Sequence, residues 1–148
     1  MQFKKCLAFL LSAFMMLSST GISASAETTT SVSNEGIAPA YEYADTAKSL
    51  LSISANSAEC TSTCISSSSN VVKVSVEQTL QVYWGLWVWN DVNGAKWSAT
   101  NNDNYISTVH TKSGLSSGTY RVKSVFTLTS SSGETETITI YSEEKTIV

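Results

Sequence analysis

Few side chains in this sequence have the types and spacing that chemistry requires. Cys60 and Cys64 stand four residues apart in Cys60-Thr61-Ser62-Thr63-Cys64. Four residues of extended chain span about 13 Å, whereas a disulfide needs α-carbons within about 7 Å. Two readings stay open: a pair of buried thiols on one strand face, or a local disulfide across a turn or bulge at Thr61–Thr63. The C-x-x-x-C spacing is wider than that of a redox pair, and no second ligand pair stands nearby. His110 is the single histidine. A Ser–His hydrolase would depend on it, yet no G-x-S-x-G elbow occurs and His110 sits beside Val109 in a strand pattern. A zinc site from this His and the two cysteines would lack a fourth ligand. Glu134 and Glu136 share a strand face, and Glu143 and Glu144 follow. Paired carboxylates run glycoside hydrolysis only across a cleft, and solvated edges are the simpler reading. Asn101-Asn102-Asp103-Asn104, with Asp91 and Asn93, offers oxygens to calcium but without EF-hand spacing. No catalytic, cofactor-binding or metal residue is therefore expected, and no enzyme. A small secreted hydrolase or inhibitor is the rival class.

One group stands apart. Tyr83, Trp84, Trp87, Trp89 and Trp97 fall within fifteen residues. Read as a strand from Leu86 to Val92, the segment puts Trp87 and Trp89 on one face and Leu86 and Val88 on the other. Both faces cannot enter one sandwich core unless the strand bends or is covered. An exposed face would bind something, because large exposed apolar patches have partners. Planar rings suit sugars or a protein hot spot. Trp97 is alternatively the tryptophan that sandwich cores bury, and a purely structural role for the whole cluster, with all four tryptophans buried, is the competing reading. The five aromatics form the candidate binding face, for an extracellular protein or, as in a carbohydrate-binding module, a glycan.

The elements that must position these residues read as strands. Leu51 and Ile53 alternate with serines, and Ala58, Cys60, Ser62 and Cys64 share one face. Val72, Val74 and Val76 alternate with Lys73, Ser75 and Glu77, and Leu80, Val82 and Trp84 continue that phase in one long or bulged strand. Gly85 permits a bend. Asn93-Gly94 predicts a hairpin turn, with Lys96 to Ala99 returning. Tyr105 to Thr111 is a further strand. Tyr120, Val122, Phe126 and Leu128 share a face, Ser130 to Gly133 is a tight loop, and Glu136, Ile138 and Ile140 alternate with Thr135, Thr137 and Thr139. About seven short strands with frequent turns predict an all-β antiparallel sandwich, with a closed barrel as the competitor. Tyr120, at the start of a core strand after Gly114–Thr119, is placed to turn its hydroxyl back to nearby backbone as a tyrosine corner.

The N-terminus predicts location. Lys4 and Lys5 precede an apolar run from Cys6 to Leu17, and Ala24-Ser25-Ala26 has the small-x-small form of a cleavage site. The run is short for a membrane span. A signal peptide over 1–26, cleaved before Glu27, is expected, with no transmembrane anchor and release to the exterior. A flexible arm over 27–48 and a sandwich over 49–148 would follow; Ile37 to Lys48 has an extended pattern that could lie against the domain as an arm or edge strand, with a helix over Tyr41 to Leu51 as the alternative. Residues 27–148 hold seven basic and twelve acidic residues, a balance that argues against nucleic acid. Ser and Thr make up roughly a third of them, interleaved with Val, Ile, Leu and Trp in amounts a disordered chain lacks. A monomer is expected.

Several segments resemble a set of small secreted single-domain proteins from anaerobic Gram-positive bacteria, mostly uncharacterised. They are Ile37-Ala38-Pro39-Ala40-Tyr41-Glu42-Tyr43, Leu51-Ser52-Ile53 leading to Ala58-Glu59-Cys60, and the Leu80-Gln81 strand with tryptophans beyond it. Gly118-Thr119-Tyr120-Arg121-Val122-Lys123, with the hairpin to Thr139-Ile140-Tyr141-Ser142, is the fourth. The resemblance spans most of 37–148. It implies an immunoglobulin-like or fibronectin-type layout and no established activity. Cys64 departs from it, standing where a plain apolar residue is usual.

Overall fold

A computed structural model describes residues 27–29 and 41–148. The expected signal peptide over 1–26 and the segment Ile37-Ala38-Pro39-Ala40 lie outside the described residues. The strands are β1 (Glu27–Thr29), β2 (Thr46–Ser54), β3 (Ser57–Ile65), β4 (Val71–Gly85), β5 (Val88–Asn101), β6 (Tyr105–Ser113), β7 (Gly118–Ser130), β8 (Thr135–Tyr141) and β9 (Lys145–Ile147). One sheet runs β1-β8-β7-β4-β5, with β9 prolonging the β8 edge beside β7; the other runs β2-β3-β6. Seven principal strands thus stand three against four in the immunoglobulin-like or fibronectin-type layout. All pairings are antiparallel except that of β1 with β8.

Period-two alternation drives this arrangement, because an extended strand sends successive side chains to opposite faces. In β7, Tyr120, Val122, Ser124, Phe126 and Leu128 are all buried and the residues between them are not. In β3, Ala58, Cys60, Ser62 and Cys64 do the same. The expected Val72-Val74-Val76 face holds only for the last two. A register shift between Val71 and Lys73 makes Val72 the extra residue, so Val71 turns inward in its place.

The interior is divided. One apolar cluster gathers Cys64, Val74, Val76, Phe126, Leu128 and Ile138; a second gathers Leu51, Cys60, Leu80, Tyr120 and Val122. Between them each of four strands contributes one buried polar side chain: Ser49, Ser62, Gln78 and Ser124. These form a hydrogen-bonded belt. Ser49 Oγ reaches Val122 O at 3.3 Å, Ser124 Oγ meets Ser49 Oγ at 2.8 Å, and Ser62 Oγ meets Ser124 Oγ at 2.6 Å. Gln78 Nε2 meets Ser62 Oγ at 2.6 Å, and His110 Nδ1 meets Gln78 Oε1 at 2.9 Å. A carbonyl can only accept, so Ser49 donates to Val122, Ser124 to Ser49, Ser62 to Ser124 and Gln78 Nε2 to Ser62. The amide oxygen is left to accept, which assigns the proton of His110 to Nδ1. Thr108 Oγ1, beside Ser62 on β6, is buried without a partner.

Two devices close the sandwich. Tyr120 Oη donates to Ser116 O at 2.8 Å, the tyrosine corner expected from its place at the start of β7. Ser142 bridges the gap between β8 and β9, its Oγ accepting from Val122 N at 2.8 Å while its own N donates to Val122 O at 2.9 Å.

The end of the arm lies against the domain and is not helical. Thr46–Lys48 already belong to β2, the segment before it bends without forming a helix, and Ala44 is buried. Glu136 holds the segment down: its two carboxylate oxygens accept from Glu42 N at 2.8 Å and Tyr43 N at 2.9 Å. Tyr41 and Tyr43 pack against the first cluster. Residues 41–48 are therefore a tied-down entry into β2, not a flexible arm, and Glu136 is not a merely solvated acid. Among the described residues no helix is long and apolar enough to cross a membrane.

The corner predicts a measurable loss. Tyr120→Phe leaves the Ser116 carbonyl without its donor and is expected to cost about 1 kcal/mol. For a domain of about a hundred residues this lowers Tm by roughly 4–8 °C, read by thermal denaturation. An unchanged Tm would show that the corner does not hold the crossover.

Candidate functional site

The β4–β5 hairpin outruns the sheet that carries it. Strand β4 pairs with β7 only as far as Val82, opposite Tyr120; beyond that it pairs with β5 alone, through Tyr83 with Trp89 and Gly85 with Val88. The two-residue turn is Leu86-Trp87, with φ of 50° and 65°. Positive φ at both central residues is the type I′ geometry that matches strand twist, and Asn and Gly normally fill it. For bulky L-residues the left-handed region is unfavourable by roughly 1–2 kcal/mol each.

These strained residues are also the most exposed apolar ones near the turn. Leu86 and Trp87 are each 91% accessible and Trp84 is 77% accessible, with Val88 and Tyr83 partly so. From Val82 to Asn90 no side chain is charged. The result is an apolar, uncharged tip on a two-stranded ribbon.

The base of the ribbon is held by stacking across four strands. The rings of Tyr83 and Trp89 lie 5.3 Å apart. The Arg121 guanidinium from β7 sits 4.1 Å from the Trp89 ring and 4.1 Å from the Tyr141 ring of β8, each an attractive cation–π contact. Arg121 Nε donates to Gln81 Oε1 at 3.0 Å, and Gln81 Nε2 donates to Asp91 Oδ1 at 2.9 Å. Burial lowers the Arg121 pKa, against the opposing pull of Tyr141 and Glu144. A planar guanidinium offers two faces to two rings, a fit a lysine lacks.

The five aromatics expected as one binding face are thereby separated. Trp84 and Trp87 are at the tip, and Tyr83 and Trp89 are in the stacked ladder. Trp97 is half-buried against the second apolar cluster, toward the role of a core tryptophan, and is stacked on His110 with centroids 4.9 Å apart and planes 5° from parallel. Trp87 and Trp89 do not share a strand face, because the chain turns at Leu86-Trp87 and β5 begins at Val88. Asn93-Gly94, the expected hairpin turn, is instead a bulge inside β5: Gln81 faces Asp91 and Thr79 faces Lys96, so Val92–Ala95 stand opposite Leu80 alone. Gly94 takes the positive φ, 67°, that the bulge needs. Leu86 and Val88, assigned from sequence to an opposite face, belong to the tip.

The other candidates are placed as follows. Cys60 and Cys64 are free and buried, with no local disulfide. Strand β3 stays in unbroken register with β2 and β6 from Cys60 to Cys64, so the bulge that a bond requires is missing. Burial, and after it Glu59 for Cys60 and Glu136 for Cys64, pushes each thiol up to about 12. His110 faces Gln78 through Nδ1, rather than a serine or a carboxylate. Asp91 is engaged by Gln81, ten residues along β5 from Asn101. Among the described residues no group of three or more His, Cys, Asp or Glu could hold a metal ion. Shallow depressions of about 300 Å³, beside Ser75, Glu77, Ser98 and Thr127, and about 190 Å³, beside Ser52, Glu59 and Thr111, involve neither the tip nor His110.

No protein-family model matches the chain, and no curated protein matches it in sequence.

Replacing Leu86-Trp87 with Asn-Gly relieves both left-handed bulky residues and is expected to stabilise the domain by about 2–4 kcal/mol in urea denaturation. A loss of stability would mean that tip side chains pack on the domain after all. The thiols set an alkaline limit. Between the ordinary value of 9.0 and about 12, the folded protein keeps both thiol protons while the unfolded chain loses them. Their contribution is intact below pH 9 and declines as pH rises toward 12, because unfolding then releases protons. Denaturation across that range should show the decline, and a thiol reagent should leave Cys60 and Cys64 of the native protein unlabelled at neutral pH. Rapid native labelling would contradict the burial.

Proposed function

We propose that this chain is an exported, non-catalytic β-sandwich that works as an interaction module, with the β4–β5 tip as its contact site. The observation that carries the reading is the coincidence of strain and exposure at Leu86-Trp87. Strained backbone recurs at functional sites, and apolar side chains held in water contribute nothing to the fold that holds them. The Arg121 ladder supports the same reading, since a braced ribbon presents its tip with little ordering left to do on contact.

Export is supported by Lys4-Lys5, the apolar run Cys6–Leu17 and Ala24-Ser25-Ala26. The corner at Tyr120 and the export signal support a likeness to the small secreted sandwich proteins of anaerobic Gram-positive bacteria that its segments resemble. The module works at the cell exterior.

The test compares wild type with Trp87→Ser as dye-labelled protein on immobilised glycans, mucin-type glycoproteins and phosphatidylcholine vesicles. Wild type is expected to be retained on at least one class. Trp87→Ser should lose about tenfold or more there with Tm unchanged, as for a hot-spot tryptophan. Equal retention of both proteins across the whole panel would sink the tip as contact site.

A further inference from the structure

We infer that the surface met by the tip is a lipid–water interface of low charge. The inference rests on the reading of the tip as contact site and names its partner.

Four observations favour lipid over a sugar or a second protein. The first is shape and area. The tip is the convex end of a ribbon. Two exposed indoles and one leucine offer roughly 500 Å² of apolar surface, taking about 150–250 Å² for each indole. A stable protein interface buries about 800 Å² per partner, so neither a second copy of this chain nor a flat protein surface is matched by the tip alone. The second is chemistry. Protein interfaces surround their apolar centre with a hydrogen-bonding rim, and sugar sites need polar side chains around the ring. Between Trp84 and Trp89 no side chain except the indoles can hydrogen-bond. The third is residue type. Tryptophan and tyrosine concentrate at membrane–water interfaces, where an apolar body and a polar edge are both satisfied. Trp84 and Trp87 flank Leu86 as two indoles about an aliphatic point.

The fourth is the backbone. Groups entering an apolar phase need their hydrogen bonds made internally. The ribbon supplies part of them, through the Tyr83–Trp89 and Gly85–Val88 pairs and through Trp87 N, which reaches Tyr83 Oη at 3.4 Å; its open edges and the bulged Trp84 keep access to water, so the tip seats at the interface and not in the hydrocarbon core. Charge then selects the lipid. Residues 27–148 hold seven basic and twelve acidic residues, and an anionic surface repels an acidic protein. The favoured surface is therefore zwitterionic.

The full chain is mixed with phosphatidylcholine vesicles whose acyl chains carry bromine, and tryptophan emission is followed. All four tryptophans lie at or beyond Trp84, so emission reports the ribbon and its flank whatever the N-terminal segment does. Wild type should show a blue shift and bromine quenching of part of the emission, weaker on vesicles rich in anionic lipid. Leu86→Asp keeps every tryptophan and places a residue that tolerates left-handed backbone at an exposed site. It should fold with Tm unchanged or raised and lose quenching several-fold. Trp87→Ser, the second variant, should lose it as well. Equal quenching in wild type and Leu86→Asp, or no quenching in wild type, overturns the inference. If vesicles are ignored while Trp87→Ser loses retention on a glycoprotein, the lipid inference fails and the tip stands as a protein or glycan contact.

Discussion

The hydrogen-bonded belt through the interior fixes how everything else is aligned. Ser49, Ser62, Gln78 and Ser124 sit at one level of the sandwich, each two residues from a member of either apolar cluster along its strand. A slip of one residue in any of these strands would turn its apolar face to water, which alternation alone forbids. A slip of two residues would not, since every side chain keeps its face. The belt forbids that second error. Moving Gln78 by two residues would set its amide against Cys60 or Cys64 and strand buried donors and acceptors, each at about 1–3 kcal/mol. Its unidirectional run, from His110 to the Val122 carbonyl, leaves no alternative arrangement of protons among its members.

The same chain of contacts reaches the tip from within. The belt ends on His110 of β6, and His110 stacks on Trp97 of β5, so the edges of the two sheets are joined there. Farther along β5 the bulge at Val92–Ala95 carries buried Ala95 inward, and the Arg121 ladder then clamps Trp89 against β7 and β8. Strand β5 is thus anchored at three points before it leaves the sheet, although it is an edge strand with one partner. The projecting ribbon inherits that rigidity. Its tip is the part of the hairpin with no packing of its own, and its direction is set by buried contacts well behind it.

What the sequence reveals follows from which physics is local. Strands β3 and β7 are legible because their alternation is strict, and the Tyr120 corner because it needs only a tyrosine at a fixed place after a loop. The belt is illegible: Ser49, Ser62 and Ser124 resemble the solvent-facing serines around them, and only the pairing of distant strands gathers them. What holds the arm is illegible for a similar reason, since Glu136, which ties it down, lies over ninety residues away. In the candidate site the density of aromatics points to the right segment but to the wrong geometry. Asn93-Gly94 carries the stronger local turn signal, yet it serves a bulge, and Leu86-Trp87 carries no turn signal and makes the turn. Local propensity loses there because Leu80 and Ala95 must both enter the core, and only a bulge between Asp91 and Lys96 permits it.

That misassignment says something about the tip. Asn-Gly is the dipeptide that a two-residue hairpin turn accommodates best, and the chain places one seven residues away, in a bulge. At the turn it has instead two large apolar residues whose backbone is strained and whose side chains gain no burial. Local preference, packing and solvation agree with one another nearly everywhere else in this sandwich; here all three oppose the residues present. A conflict of that kind, confined to two adjacent positions at the end of a braced ribbon, has no compensation inside the domain. In the proposed reading the compensation comes from contact with something outside it, and the apolar, uncharged character of the tip sets what that surface has to be like.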